Sequence, residues 1–388
     1  MVAEADPKPR ILVITRNLPP LVGGMERLIW HILDELRLDY DVYAIGPRGA
    51  AAQAPDGVEV TEVPESPLGR FLPDVMWKAA RKAASLHPKL VMAGSGLTAP
   101  FAWLAARIAG AKAVVYLHGL DIEANHLLYR AFWLPFIRRC DIVLVNSHFT
   151  RALAKQAGID DSRIWILHPG VDLPDLSSAE EARRRFREHH ALHERPVMLY
   201  VGRITERKGL APFVEDVLPT VLDAVPDARL VVIGEEPNQA LLRGGSVLEK
   251  ARHSLARHGR EDIVCFLGPR THNDQEISEA YFAANVHVFP IQDRPGDHEG
   301  FGMVALEAAA HGTPTVAFAV GGVTDAVLDG VSGRLVPAGD DREFASVLIR
   351  HLKLTSAESP EACRSFAADY RWGEFGRKLR AILESRDA

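Results

Sequence analysis

Short, branched, apolar runs recur along the first half of the chain, each followed by a polar or glycine-bearing loop. They are Arg10–Thr15, Tyr40–Ile45, Val58–Val63, Leu90–Ala93, Ala113–Leu117, Ile142–Val145 and Ile164–Leu167. Runs that are apolar throughout, without polar alternation, suit strands buried on both faces. Between them the period lengthens: Met25, Leu28, Ile29, Ile32, Leu33 and Leu36 fall on one helical stripe, and alanine-rich segments fill several other gaps. Strands alternating with helices predict a parallel sheet covered on both sides.

Around Pro174 the pattern breaks. Residues 175–195 are densely charged, with Glu180-Glu181-Ala182-Arg183-Arg184-Arg185 at their centre, and read as a solvated helix or linker. Strand runs restart at Val197–Val201, Leu230–Ile233, Ile263–Leu267, Val286–Phe289, Thr315–Phe318 and Arg334–Val336, and a helix is predicted from Trp372 to Arg386. The expected organisation is α/β. Residues 1–172 form a first doubly wound, Rossmann-like domain, 173–195 a linker and 196–371 a second such domain. Residues 372–388 form a C-terminal helix packing back on the first domain. Two such domains in tandem are expected to face a shared cleft, with ligands beyond the carboxyl ends of the strands. The loops to inspect are then 16–25, 94–99, 118–123, 146–150, 202–209, 234–238, 290–302 and 319–324.

Composition narrows the classes. The chain has 388 residues, 47% hydrophobic and 25% charged, as ordinary globular proteins are. Cys140, Cys265 and Cys363 are few, odd in number and far apart, which argues against a disulfide framework and for a reducing compartment. Met1 to Arg10 is polar, unlike a signal peptide, and no apolar stretch reaches the length of a membrane span. Cytoplasmic residence is expected. The net charge of −6 excludes a general polyanion surface, and the charge is uneven: residues 1–172 hold 19 Lys and Arg against 18 Asp and Glu, the remainder 26 against 33.

Two loops of the second half carry candidate chemistry. Gly202-Arg203-Ile204-Thr205-Glu206-Arg207-Lys208-Gly209 follows the strand Val197–Val201. Glycine ends the strand without a side chain in the way, and Arg203 and Lys208 can converge on one diphosphate, one as a planar fork and one as a compact charge. After Val286–Phe289 comes Asp297-His298-Glu299-Gly300-Phe301-Gly302, then a helix from about Met303 to Ala310 ended by Gly312. The glycines permit close approach of backbone to ligand, and the amides of Met303 and Val304 open a helix whose positive end suits a phosphate. Glu299 and Glu307 can accept hydrogen bonds from hydroxyls. Phosphate at a helix end and carboxylates on hydroxyls describe a nucleotide-sugar site. Each loop by itself also fits a solvated connection; the two together favour the site.

These segments resemble the signatures of the retaining glycosyltransferases of family 4, with the GT-B fold. The resemblance rests on Gly202-Arg203 with Lys208-Gly209, and on Glu299-Gly300-Phe301-Gly302 with Glu307. It extends to Gly23-Gly24, His118-Gly119-Leu120-Asp121, Asn146-Ser147, His168-Pro169-Gly170 and Gly321-Gly322. It implies a hexosyltransferase that moves a hexose from a UDP- or GDP-sugar to a sugar, lipid-linked or small hydroxyl acceptor, without metal or other cofactor. Arg203 and Lys208 would neutralise the diphosphate, Glu307 would take the ribose hydroxyls and Glu299 those of the donor sugar. Gly300, Phe301, Gly302, Met303 and Val304 would line the phosphate end, and Gly23 and Gly24 would approach from the first domain. His118 would serve the transferred sugar, and Asp121 and Asn146 the acceptor.

Three alternatives stand beside this. A relative of the same fold could run another reaction, as an epimerase or a phosphorylase. A non-catalytic nucleotide-sugar binder could share the fold, although the full set of Arg203, Lys208, Glu299 and Glu307 argues against it. Gly94-Ser95-Gly96-Leu97-Thr98-Ala99 fits a dinucleotide fingerprint, but in mid-domain and not in the first βα turn. Two mixed apolar and basic stretches, 71–82 and 126–139, read as amphipathic helices on the sheet or as contacts with the inner face of a membrane.

Overall fold

The computed structural model describes residues 7–123, 129–237, 245–257, 259–270, 274–353 and 358–385, together with the backbone of 127 and 128. The first three residues of the stretch 126–139, the last of the loop 234–238 and the last of the helix expected to reach Arg386 therefore lie wholly or in part outside the described residues.

The chain divides into two compact units, residues 1–170 with 372–388, and residues 171–371. In the first unit seven strands form one parallel sheet: β1 (Arg10–Ile14), β2 (Asp41–Pro47), β3 (Glu59–Val63), β4 (Leu90–Ala93), β5 (Lys112–Leu117), β6 (Ile142–Val145) and β7 (Ile164–Ile166). Their order is β3-β2-β1-β4-β5-β6-β7. All of β4 and β6, and all but one residue of β1 and β5, are buried, because helices cover both faces of a parallel sheet. In the second unit β8 (Val197–Val201), β9 (Arg229–Ile233), β10 (Val264–Gly268), β11 (Val286–Phe289), β12 (Thr315–Phe318) and β13 (Gly333–Val336) take the order β10-β9-β8-β11-β12-β13, again all parallel. Each sheet reverses its winding once, between β1 and β4 and between β8 and β11. At such a switch point neighbouring loops diverge to opposite faces and leave a crevice.

The stretch 173–195, expected as a linker, belongs to the second unit. Residues Ala179–His189 form a helix that buries Ala182, Phe186 and Arg187. Phe186 joins a cluster with Val197, Leu199 and Tyr281. Arg187 donates to the carbonyl of Ala283 at 2.7 Å and to Asn285 Oδ1 at 3.0 Å, and its desolvation lowers the guanidinium pKa to about 10. Most of the charge density that suggested a linker is the outer face of an amphipathic helix, while Arg187 turns inward. The final helix, Trp372–Glu384, belongs to the first unit: Arg380 pairs with Glu35 and Asp39 at 2.8 Å each, and Trp372 stacks on His31 at 3.8 Å.

Candidate active site

The second unit's switch point brings the two expected loops together. Gly209 has φ of +73°, and a Cβ there would stand 1.9 Å from the carbonyl oxygen of Pro290. Only glycine lets the loop after β8 lie on the end of β11. The Gln292 amide, donating to the Arg207 carbonyl at 2.8 Å, holds the same contact. On the far side the Gly322 amide donates to the Glu299 carbonyl at 2.8 Å, and a Cβ at Gly322 would fall 1.9 Å from the Gly300 oxygen. Gly302 takes φ of +105° against the Phe289 ring, where the helix Met303–Ala310 begins. Phe301 is buried in the core, so the loop is anchored between its two glycines.

On this frame the charges converge. Glu299 Oε2 receives Lys208 Nζ at 2.7 Å and Arg207 Nη1 at 2.5 Å. Arg207 also reaches Asp297 through Nε at 3.2 Å, and Lys208 lies 5.0 Å over the Phe289 ring. The three side chains are nearly enclosed, 9% exposed for Arg207, 11% for Lys208 and 13% for Glu299. Burial works to raise the Glu299 carboxyl, but the charges of Lys208, Arg207 and Arg203 together outweigh it and hold the group below its ordinary value. Burial pushes the Lys208 ammonium down; Glu299 opposes this, and Arg207 and Arg203 reinforce it. Three cations around one carboxylate leave excess positive charge that an incoming anion relieves.

Arg203 is exposed and has no ion-pair or side-chain hydrogen-bond partner among the described residues, so its fork is available for a ligand. Among the described residues the ion pairs of Glu299 run through Oε2, which leaves Oε1 for a hydroxyl. Glu307, one turn into the helix, accepts from the Tyr281 hydroxyl at 2.9 Å. Arg207, Asp297 and Tyr281 were not singled out from sequence. Arg207 stood inside the loop already selected, where its neighbour Lys208 drew the attention. Nothing local marks Tyr281, whose helix Gln275–Ala283 meets Glu307 only in the fold.

In the first unit the expected residues gather at the carboxyl ends of β4, β5 and β6. His118 Nε2 lies 2.9 Å from the Gly94 oxygen, and Asp121 Oδ2 accepts from the His118 amide at 3.0 Å. Asn146 is occupied internally: its oxygen accepts from Thr150 at 2.7 Å and its nitrogen donates to the His118 carbonyl at 3.3 Å. It ties β6 to β5 rather than offering a free amide. Gly23 is extended, and a Cβ there would meet the Glu26 carboxylate at 2.4 Å. Gly24 opens the helix Gly24–Leu36. The glycines of the dinucleotide-like stretch serve the chain's own packing, since a Cβ at Gly94 would meet Thr15 Oγ1 at 2.7 Å. An Asp-x-Asp pair occurs at Asp39-Tyr40-Asp41, but it leads into the amino end of β2, and Asp39 is paired with Arg380.

The chain is similar to known proteins throughout its length. Residues 22–174 match the model described as Glycosyltransferase Family 4, and residues 195–353 the model described as Glycosyl transferases group 1. The chain is 28% identical to the GDP-mannose-dependent alpha-(1-6)-phosphatidylinositol monomannoside mannosyltransferase of Mycolicibacterium smegmatis, over 97% of this chain and 98% of that protein. It is 34% identical to the D-inositol 3-phosphate glycosyltransferase of Mycolicibacterium vanbaalenii, over 60% of this chain and 50% of that protein. Its fold matches that of Anabaena HepE, crystallised in complex with UDP and glucose, with a TM-score of 0.79 at 19% identity, covering 97% of this chain and 100% of the other. Two doubly wound sheets, with the two family models matched in succession, place the chain among the family 4 glycosyltransferases of GT-B fold, as a hexosyltransferase.

Proposed function

We propose that this enzyme moves a hexose, with retention and without metal, from a nucleoside diphosphate hexose to a lipid-linked sugar or phosphoinositol acceptor. The observation that carries the donor reading is the group of Arg203, Arg207 and Lys208 around the single carboxylate of Glu299, beside the helix opening at Met303. A diphosphate is the anion that two basic side chains and a helix end suit together. In the reaction the bond from the anomeric carbon to the phosphate oxygen breaks, and its electron pair stays with the phosphate. Arg203 and Lys208 stabilise that charge. The acceptor oxygen bonds the anomeric carbon on the same face, and its proton passes to the departing phosphate. Arg203 and Lys208 supply the charge that a metal ion would otherwise bring. Glu299 Oε1 holds a donor-sugar hydroxyl, Glu307 the ribose and His118 the transferred sugar. GDP-mannose is the first donor to test, on the whole-length similarity to an enzyme that depends on it.

The lipid-linked acceptor draws support from the first unit. Its helices Leu68–Leu86, Ala99–Ala109 and Leu134–Ile137 pack side by side. Residues 68–86, 99–109 and 129–139 together hold eight Lys and Arg against one acid, Asp74, in a chain of net charge −6. Met76, Trp77, Ile108 and Phe132 are exposed among them, with Arg81 lying 5.1 Å over the Trp77 ring. Basic and aromatic side chains exposed on neighbouring helices suit an anionic membrane face. Among the described residues no helix is long and apolar enough to cross a membrane.

Thermal shift with a panel of nucleoside diphosphate sugars tests the donor site, since a ligand that binds the folded state raises its apparent stability. GDP-mannose should stabilise the wild type and not Lys208→Met. Equal shifts in both, or none with any donor, would remove the proposal. For the membrane, wild type should float with anionic vesicles and Trp77→Glu with Arg81→Glu should not; wild type remaining in the soluble fraction would refute the contact.

A further inference from the structure

A histidine ties together two helices of the second unit. His311 follows the helix Met303–Ala310 at its carboxyl end. Its Nδ1 lies 2.7 Å from the Glu307 carbonyl oxygen, and its Nε2 lies 2.8 Å from Ser278 Oγ on the helix Gln275–Ala283. A carbonyl oxygen only accepts, so Nδ1 carries the proton. In the neutral ring Nε2 is then the acceptor, and the Ser278 hydroxyl donates to it. Desolvation lowers the imidazole to about 4, against the opposing bond to Glu307 and that residue's charge, so the ring is neutral at neutral pH.

The helices tied in this way are the two that bring Tyr281 and Glu307 together. Ser278 and Tyr281 share a face of one helix, at a spacing of i and i+3. Glu307 lies one turn before His311 on the other. The Tyr281 ring stacks on His311, with centroids 4.9 Å apart and planes at 29°, while its hydroxyl donates to Glu307 Oε2 at 2.9 Å. His287, fully buried, meets the same ring edge-on at 6.1 Å, and Thr313 Oγ1 donates to the Tyr281 carbonyl at 2.7 Å. Packing against Tyr281 needs no ring nitrogen, since a phenylalanine would stack as well. The nitrogens are what bind one helix to the other.

We propose that His311 is a positioning residue of the donor site: its imidazole bridges the two helices, fixes the Tyr281 hydroxyl on Glu307, and so sets how strongly the enzyme demands the ribose hydroxyls of its donor. This rests on the reading of Glu307 as the acceptor for the ribose. A carboxylate already held in one orientation gives up little rotamer freedom when a hydroxyl binds, whereas a loose one must be ordered first. Loss of the bridge should therefore weaken the ribose contact and leave the diphosphate end, on Arg203 and Lys208, as it was.

The experiment titrates GDP, 2′-deoxy-GDP and inorganic pyrophosphate into the full chain by calorimetry. His311→Phe keeps a ring beside Tyr281 and removes both bonds. The ratio of the dissociation constants of 2′-deoxy-GDP and GDP should fall about three- to tenfold, with pyrophosphate affinity unchanged. Ser278→Ala removes one of the bonds and should lower the ratio in the same direction by less; it carries the test if His311→Phe does not fold. Tyr281→Phe combined with His311→Phe should lower the ratio no further than Tyr281→Phe alone, because the two residues act through one contact. A ratio in the variants equal to that of the wild type overturns the inference, as does a loss of pyrophosphate affinity as large as that of GDP. Wild type that binds GDP and 2′-deoxy-GDP equally removes the ribose role of Glu307 itself, and the inference with it.

Discussion

Arg207→Met is the substitution that best separates a built site from an accidental cluster of charges. The side chain is 9% exposed and holds two acids, Glu299 and Asp297. Removing one partner of an enclosed ion pair costs ~3–5 kcal/mol when the other is left bare. Here Lys208 stays 2.7 Å from Glu299, and Asp297 is half exposed, so the loss should be smaller, about 2 kcal/mol. For a unit of this size that is a fall of roughly 4–8 °C in melting temperature. The same change should alter the pH response. The Glu299 carboxyl is held below its ordinary value, so its stabilisation is present above the unfolded value of ~4.3 and is lost as pH falls through the lower folded one. Without Arg207, burial is opposed by fewer charges and the folded value rises. Melting temperature and donor affinity should therefore decline on acidification at a higher pH in the variant than in the wild type. Calorimetry and donor titration across mildly acid pH measure both. A variant that melts like the wild type, with an unmoved acid limb, would show that Arg207 does not position Glu299.

Other outcomes follow from the same geometry. Lys208 is pushed below the ordinary lysine value of ~10.4, so donor affinity should fall as pH rises through that lowered value; GDP binding should move the limb upward, and isothermal titration at alkaline pH reads it. Gly322→Ala puts a Cβ 1.9 Å from the Gly300 oxygen, and the shift needed should lower stability by ~1–3 kcal/mol and abolish the donor-induced thermal shift. Tyr281→Phe leaves Glu307 without its donor at 2.9 Å and should reduce discrimination between GDP and 2′-deoxy-GDP, measured as the ratio of their dissociation constants. An unchanged ratio would disconnect Tyr281 from ribose recognition.

Much of the architecture was legible in one dimension. Leu90–Ala93, Ile142–Val145, Val197–Val201, Val286–Phe289 and Thr315–Phe318 are strands with the bounds that their apolar runs mark, and Met303–Ala310 is the helix that its composition and Gly312 delimit. A strand covered on both faces must be apolar throughout, so its signal is contained in its own residues. The same holds for the glycines that close the loops and for the choice of the two loops that carry charge. What the tertiary structure decided was partnership. That Arg207 joins Lys208 on Glu299, that Tyr281 addresses Glu307, and that the charged stretch 173–195 is a packed part of the second unit depend on strand order and helix packing. Residues as far apart as Arg207 and Glu299 meet because β8 and β11 are neighbours where the winding reverses, and no local pattern of hydrophobicity or charge encodes which strands become neighbours.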